Sequence, residues 1–106
     1  MVAPERGDLV WITVDPAHSG GSTRRPALVV SPARYNERSG LALMCAIASQ
    51  AKGYPFEVVL PADLPMSGVV LADHLRSADW KVREAEIVAR APAAVVSEVL
   101  AKLKPL

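Results

Sequence analysis

The stretch RRPALVVSPARYNERSGLALMCAIA (24–48) contains two apolar runs, and their lengths decide the class of fold. The first run, 27–31, is short and rich in valine and predicts a fully buried strand. The second run, Leu41–Ala48, is continuously apolar, and its length is typical of a strand and short for a buried helix. We therefore predict two buried strands that follow each other along the chain.

A short helix is predicted between these two strands. Ser31 is a favourable N-cap residue, and proline, which follows it at position 32, is typical of the first position of a helix. Gly40 is typical of the residue that ends a helix. The segment 32–38 is therefore expected to form one or two helical turns.

The flanking sequence adds more short strands. In 9–14, the β-branched residues predict a strand, and the glycine-rich segment 17–23 predicts a mobile loop. Valine and leucine at helical spacing predict a C-terminal helix over 93–104. Further strands are expected at 56–60, at 68–72 with a continuation at 74–78, and at 81–89. This pattern predicts a mainly β (α+β) fold, an SH3-like small β-barrel with short helices and a C-terminal helix.

Length and composition predict a single domain over 1–106. A domain of this size buries about 65% of its unfolded surface. Of its residues, 51% are hydrophobic, a surplus that suggests an interface. The net charge is +1, from 12 basic and 11 acidic residues, whereas proteins that hold long duplex DNA are usually more basic. This balance argues against a general DNA-packing role and is compatible with a short single-stranded substrate.

The single cysteine and the apolar runs indicate a reducing, cytoplasmic location. Cys45 lies inside an apolar run and is expected to be buried, so neither a disulfide nor a thiolate zinc site is expected within the chain. Residues 1–8 lack the apolar core of a signal peptide, and no apolar run reaches the roughly 18 residues of a membrane span. With two histidines and no evident carboxylate cluster, we expect neither a metal nor a cofactor.

Three polar regions hold the candidate catalytic groups. Arg25 lies where the first loop enters a buried strand, so its guanidinium can face a cleft and bind phosphate through two parallel hydrogen bonds. Lys52, in the second loop, is a candidate phosphate contact. His18 and His74 can exchange protons near neutral pH. Asp73 can orient His74 only if the strand turns there, because adjacent strand residues point to opposite faces.

The tryptophans and two polar residues are candidates for contact with unpaired bases. Trp11 and Trp80 offer aromatic faces on which bases can stack, with packing in the core as the alternative. Asn36 can read a base edge or cap local backbone. Arg24 adds positive charge next to Arg25.

Four stretches of the sequence form a recurrent combination of motifs. They are GDLVWITVDP (7–16), RRPALVVSPARYNERSG (24–40), SQAKGYPFEVVL (49–60) and SGVVLADHLRSADW (67–80). The most specific features are the KGYPFEV string and the pairing of a GD-strand-DP segment with an RP-strand-SP segment. In order and in spacing these stretches resemble the MazF/PemK (Kid) toxin family. Residues 84–106 are similar to the family only in pattern, as a helix after a proline.

The resemblance implies a CcdB/MazF-like barrel that forms a homodimer and acts as an mRNA interferase of a type II toxin–antitoxin system. It implies sequence-specific, metal-independent cleavage of single-stranded RNA by attack of the 2′-hydroxyl, which leaves a 2′,3′-cyclic phosphate and a 5′-hydroxyl. A MazE-like antitoxin is the implied partner, and contact with promoter DNA is implied only through that antitoxin.

The resemblance also implies roles for individual residues. Arg25 matches the family arginine that precedes a proline, and its implied role is to stabilise the charge of the pentavalent phosphorane. The candidate general bases are His18, His74 and Asp73, and the choice among them stays open. Ser49 is the candidate hydroxyl. The RNA-binding candidates are Trp11, Arg24, Asn36, Lys52, His74, Arg76 and Trp80.

Several positions depart from the family pattern. Ala48 stands where many members have a threonine, and Ser49 lies one position later, where a regular strand would turn it to the other face. The first loop has no acid after Asp15, although many members carry a glutamate there. Leu71 replaces an arginine of the PemK branch, while Asp73 fits that branch's aspartate.

These departures leave two alternatives to an active ribonuclease. One is a catalytically impaired toxin homologue that acts with its antitoxin as a co-repressor. The other is a CcdB-like inhibitor of DNA gyrase, which has the same fold and no nuclease activity. The loop arginine and the KGYPF string argue against the gyrase inhibitor.

Overall fold

The strands of this protein form one curled antiparallel sheet in the shape of a half-barrel. The computed structural model describes residues 2–14 and 23–106. The elements in chain order are β1 (Asp8–Val14), β2 (Thr23–Val29), α1 (Ala33–Ser39), β3 (Leu41–Ala48), β4 (Glu57–Val59), β5 (Val69–Asp79), β6 (Glu86–Arg90) and α2 (Ala93–Leu103). The six strands lie in the order β4-β5-β3-β2-β1-β6. The prediction of a mainly β fold with added helices is confirmed.

Alternation along the strands divides the core into two clusters. On β1, Leu9 contributes to the larger cluster and Val10 to the smaller one, because successive side chains point to opposite faces. The amphipathic helix α2 covers the larger cluster with Val95 and Val99. Within the described ranges, no helix is both long and apolar enough to cross a membrane.

Two segments that pair with β1 have boundaries that differ from the prediction. β2 begins at Thr23, so Arg24 and Arg25 lie on a strand that pairs with β1 and not in a loop. The segment predicted as one strand over 81–89 is a turn over 81–84 followed by β6. In both cases the pairing with β1 fixes the boundary, and pairing between distant segments is not visible in local sequence.

The start of α1 also differs from the prediction. The N-cap residue is Pro32, and no side chain caps the helix. The Ser31 hydroxyl cannot serve as the cap because it donates to the Asn36 side chain and accepts a hydrogen bond from the Leu43 backbone N–H at 2.8 Å. The predicted end is correct, since Gly40 has the left-handed conformation with φ of 75°.

Cys45 is part of the larger cluster, as its apolar neighbourhood predicts. Its side chain is fully buried and packs beneath β5, where the thiol lies 3.8 Å from the Ala72 carbonyl oxygen. Burial, together with the negative charge of Asp73, raises the pKa of the Cys45 thiol to about 11. The thiol therefore stays protonated and unreactive at physiological pH.

Candidate active site

An open groove of about 620 Å³ lies on the sheet face that carries the smaller core cluster. Four adjacent strands form it, so its floor is rigid and apolar while polar side chains stand at its edges. The lining residues are Ile12, Val14, Arg25, Pro26, Ala27, Met44, Ala46, Asp73, His74, Leu75 and Arg76. The groove thus brings together four of the predicted site residues, Arg25, Asp73, His74 and Arg76.

A smaller cavity of about 200 Å³ adjoins the main groove and shares Asp73 and His74 with it. Its lining residues are Ala48, Gln50, Lys52, Tyr54, Glu57, Leu71, Asp73 and His74. Lys52 was predicted here, whereas Gln50, Tyr54 and Glu57 were not. All three belong to the SQAKGYPFEVVL stretch, so this motif could have indicated them.

A β-bulge explains why two adjacent residues, Asp73 and His74, both line the groove. On β3, Cys45 pairs with Leu75, and two residues later Ile47 pairs with Val70. Four β5 residues, 71–74, therefore lie opposite a single β3 residue. Such an insertion breaks the alternation of a strand and redirects its side chains. Asp73 and His74 both line the groove although they are neighbours on one continuous strand.

Arg25 and Arg24 lie on opposite faces of β2. Arg25 pairs with Ile12 across the strands and is exposed in the groove, which is the position expected for a phosphate-binding guanidinium. Arg24 instead donates to the Thr13 hydroxyl at 2.9 Å and forms an ion pair with Glu86 at 3.1 Å. Arg24 therefore does not line the groove, and its predicted contact with RNA gains no support from this placement.

The predictions for Asn36 and Trp80 as RNA-binding residues are wrong. Asn36 is 0% exposed and Trp80 is 2% exposed, so neither can reach a ligand in the groove. The Asn36 amide donates to the carbonyl oxygens of Pro4 at 2.8 Å and Ser31 at 3.0 Å. The Trp80 indole N–H donates to the Asn36 carbonyl oxygen at 2.8 Å. The two side chains therefore join the N-terminal segment, α1 and the end of β5.

Replacing Asn36 with alanine should lower the free energy of unfolding by about 2–3 kcal/mol, because three buried polar groups lose their partners. Urea denaturation followed by tryptophan fluorescence measures this loss. The matched control is Glu37→Ala, an exposed neighbour on α1, which should change stability by less than about 0.5 kcal/mol. An Asn36→Ala protein of unchanged stability that no longer bound RNA would contradict the structural role.

Two further predicted residues that the structure describes, Trp11 and Ser49, do not line the groove. Trp11 is half-buried against the larger core cluster and lines neither cavity. Ser49 is exposed just after β3 and also lines neither, while its neighbour Ala48 lines the smaller cavity. His18 falls outside the described residues.

The charges around the two cavities suit a phosphate-bearing ligand. Three cations, Arg25, Lys52 and Arg76, line them together with the carboxylates Asp73 and Glu57. Among residues 2–14 and 23–106, no three His, Cys, Asp or Glu side chains form a group that could hold a metal ion.

The curled six-stranded half-barrel with its two helices has the architecture of the solved MazF structures. Residues 5–106 match the family model described as PemK-like, MazF-like toxin of type II toxin–antitoxin system. The chain therefore belongs to this toxin family, and the resemblance found in its sequence is confirmed.

Individual relatives agree with this membership. The endoribonuclease toxin MazF of Escherichia coli (strain K12) is 45% identical over 83 residues, which cover 77% of this chain and 74% of the relative. The crystal structure of MazF from Deinococcus radiodurans matches with a TM-score of 0.88 and 55% sequence identity. This match covers 99% of this chain and 96% of the Deinococcus radiodurans chain. A MazE–MazF structure from the same organism has a TM-score of 0.89 and 53% identity, with 99% and 95% coverage.

Proposed function

We propose that this protein is a sequence-specific endoribonuclease toxin that cleaves single-stranded RNA without a metal ion. One observation carries the proposal: a single groove joins Arg25 to Asp73 and His74. The groove therefore holds a cation for phosphate beside two groups able to exchange a proton. Family membership supports the same function, because the Escherichia coli relative is named an endoribonuclease toxin.

The proposed reaction uses a nucleophile that the RNA itself supplies. The ribose 2′-oxygen attacks the adjacent phosphorus and forms the O2′–P bond, and its proton passes to the Asp73–His74 pair. The P–O5′ bond breaks, and the 5′ oxygen leaves with the electron pair and takes a proton from water. The products are a 2′,3′-cyclic phosphate and a 5′-hydroxyl. Because no water molecule has to be activated as the nucleophile, this route requires no metal ion.

Each polar side chain of the groove has a proposed role. Arg25 donates to the phosphorane oxygens, whose negative charge increases in the transition state. The Asp73–His74 pair takes the place of the general base. Lys52 binds a neighbouring phosphate as a point charge, and Arg76 binds one through the paired N–H donors of its guanidinium group. Ser49 is not needed as a hydroxyl in this scheme, since it lines neither cavity.

The proposed partners are a second copy of this chain and a MazE-like antitoxin. Large apolar side chains remain exposed on the single chain, which favours association. They are Val2, Tyr35, Leu41, Tyr54, Val59, Leu75, Val82, Ile87 and Leu106. The antitoxin proposal rests on the MazE–MazF structures of the Deinococcus radiodurans relative, and promoter DNA is proposed to be reached only through the antitoxin. Light scattering of the free protein and of its mixture with the antitoxin measures both associations.

Cleavage of a long, weakly structured RNA is expected to persist undiminished in excess EDTA and to occur at a few discrete sites. The ends should carry 2′,3′-cyclic phosphates, which acid converts to 2′- or 3′-monophosphates, and mapping of the new 5′-hydroxyl ends gives the recognition sequence. Loss of cleavage in EDTA, restored by a divalent ion, would contradict the metal-independent route. RNA that is bound and left intact would indicate an impaired homologue. Intact RNA together with inhibited DNA supercoiling would indicate a gyrase inhibitor.

A further inference from the structure

The carboxylate of Glu57 is held by the backbone of the loop that precedes it. Its oxygens accept hydrogen bonds from the Lys52 N–H at 3.1 and 3.0 Å and from the Gly53 N–H at 3.0 Å. Gly53 has φ of 83°, which places these two successive N–H groups around one concave point. The Glu57 N–H in turn donates to the Tyr54 carbonyl oxygen at 3.2 Å. The side chain of Glu57, the last residue of the loop 52–57, therefore holds the first two residues of that loop by hydrogen bonds.

Two exposed side chains of this loop line the smaller cavity that adjoins the groove. Lys52 and Tyr54 are exposed, and both line the smaller cavity beside Asp73 and His74. We propose that Glu57 is a positioning residue for RNA binding, which fixes the loop so that Lys52 binds a phosphate next to the one that is cleaved. This inference rests on the proposed ribonuclease function and assigns Glu57 an effect on RNA binding that it exerts through Lys52.

The contacts of Glu57 distinguish it from a catalytic carboxylate. A concave pair of backbone N–H groups is itself a site for anions, and here the Glu57 carboxylate fills it, so a phosphate has no access to those donors. Binding of phosphate at this edge therefore falls to the Lys52 ammonium group. The Asp73 carboxylate accepts no such hydrogen bonds from backbone N–H groups among the described residues.

A second contact holds the other side of the same loop. The Lys102 ammonium group on α2 donates to the Pro55 carbonyl oxygen at 2.6 Å and lies 4.0 Å from Glu98. The loop is therefore tied both to the strand β4 and to the C-terminal helix. Two anchors around five exposed residues, 51–55, reduce the freedom that an unsupported loop would lose when it binds RNA.

The test compares Glu57→Gln, Lys52→Ala and the double variant in steady-state cleavage of a short single-stranded RNA. Glu57→Gln should raise KM by about five- to tenfold and change kcat by less than about twofold, since it removes binding and leaves the reacting groups intact. In the Lys52→Ala background, Glu57→Gln should have no further effect on KM. Glu37→Gln, which makes the same charge change on the exposed face of α1, should leave both constants unchanged.

Hydrogen exchange provides a readout that does not depend on cleavage. In the Glu57→Gln protein, the Lys52 and Gly53 amides should exchange faster than in the wild type, while the melting temperature stays within a few degrees. Unchanged exchange at these two amides would overturn the proposal that Glu57 fixes the loop. An undiminished KM effect in the Lys52→Ala background, or tighter RNA binding, would overturn the action through Lys52. A wild-type protein that neither cleaves nor binds RNA would remove the proposed function, whether or not the two amides respond.

Discussion

The Arg25→Ala protein is expected to cleave RNA about 10²–10³-fold more slowly than the wild type, with its fold intact. The reaction adds negative charge to the phosphate oxygens, and a fixed donor aimed at such charge contributes a few kcal/mol to the transition state. Arg25 is exposed in the groove beside Asp73 and His74, so its removal leaves the proposed general base without a cation at the phosphate. Single-turnover cleavage in EDTA, with saturating protein, measures this loss in the chemical step.

Two matched variants separate charge from geometry and position. Arg25→Lys keeps the positive charge and loses the two parallel hydrogen bonds of a guanidinium, so an intermediate rate is expected. Arg24→Ala removes the adjacent arginine, which lies on the other face of β2 and is paired with Glu86. It should leave the single-turnover rate within about threefold of the wild type, with a small loss of stability. If Arg24→Ala and Arg25→Ala slowed cleavage equally, the groove would not be the site.

The strands and the terminal helix were predictable because their residues repeat a local pattern. The continuous apolar run of Leu41–Ala48 becomes β3, the central strand of the site, with the predicted bounds. The exposure of Arg25 was also predictable, because this charged residue precedes the apolar run 27–31, although the structure places it within β2 and not in a loop. Its face was fixed only by pairing, because Ile12 lies opposite it and the same alternation sends Arg24 to the other side.

The bulge in β5 could not be predicted from the sequence. Nothing within VVLADHLRSAD marks residues 71–74 as an insertion, because the extra residues are defined only by the partner strand β3. Whether Asp73 and His74 face the same groove therefore depends on long-range pairing. In the structure both residues line it.

Burial of polar side chains was the other quantity that sequence could not supply. Asn36 and Trp80 carry groups that suit base recognition. Asn36 has one local partner, Ser31, five residues before it, but the other contacts that bury the two side chains come from distant segments. Their hydrogen bonds run to Pro4, 32 residues before Asn36, and from Trp80 to Asn36, 44 residues apart. Glu57 shows the opposite case, because its partners lie only four and five residues away and its motif was visible throughout.

Gly68→Ala should lower the free energy of unfolding by about 3 kcal/mol or more and the melting temperature by more than about 10 °C. Gly68 has φ of 128°, a backbone conformation that residues with a side chain rarely adopt. A Cβ there would also overlap the Ala48 carbonyl oxygen and lie 3.1 Å from the Ala48 carbonyl carbon. Both obstacles are backbone, so rotation of a side chain cannot relieve them.

Gly40→Ala is the matched control, because it separates backbone conformation from contact. Gly40 also has positive φ, at 75°, and no atom lies within 4 Å of a Cβ built there. Gly40→Ala should therefore lower the free energy of unfolding only by the cost of the left-handed conformation, about 1 kcal/mol. Thermal denaturation of the Gly40→Ala and Gly68→Ala proteins compares the two effects. Equal losses would mean that β3 moves away from Gly68 at little cost. Because Ala48 lines the smaller cavity, such a movement of β3 would change RNA binding without a matching change in stability. Thermal denaturation and RNA binding, both measured on the Gly68→Ala protein, together show whether the end of β3 is rigid.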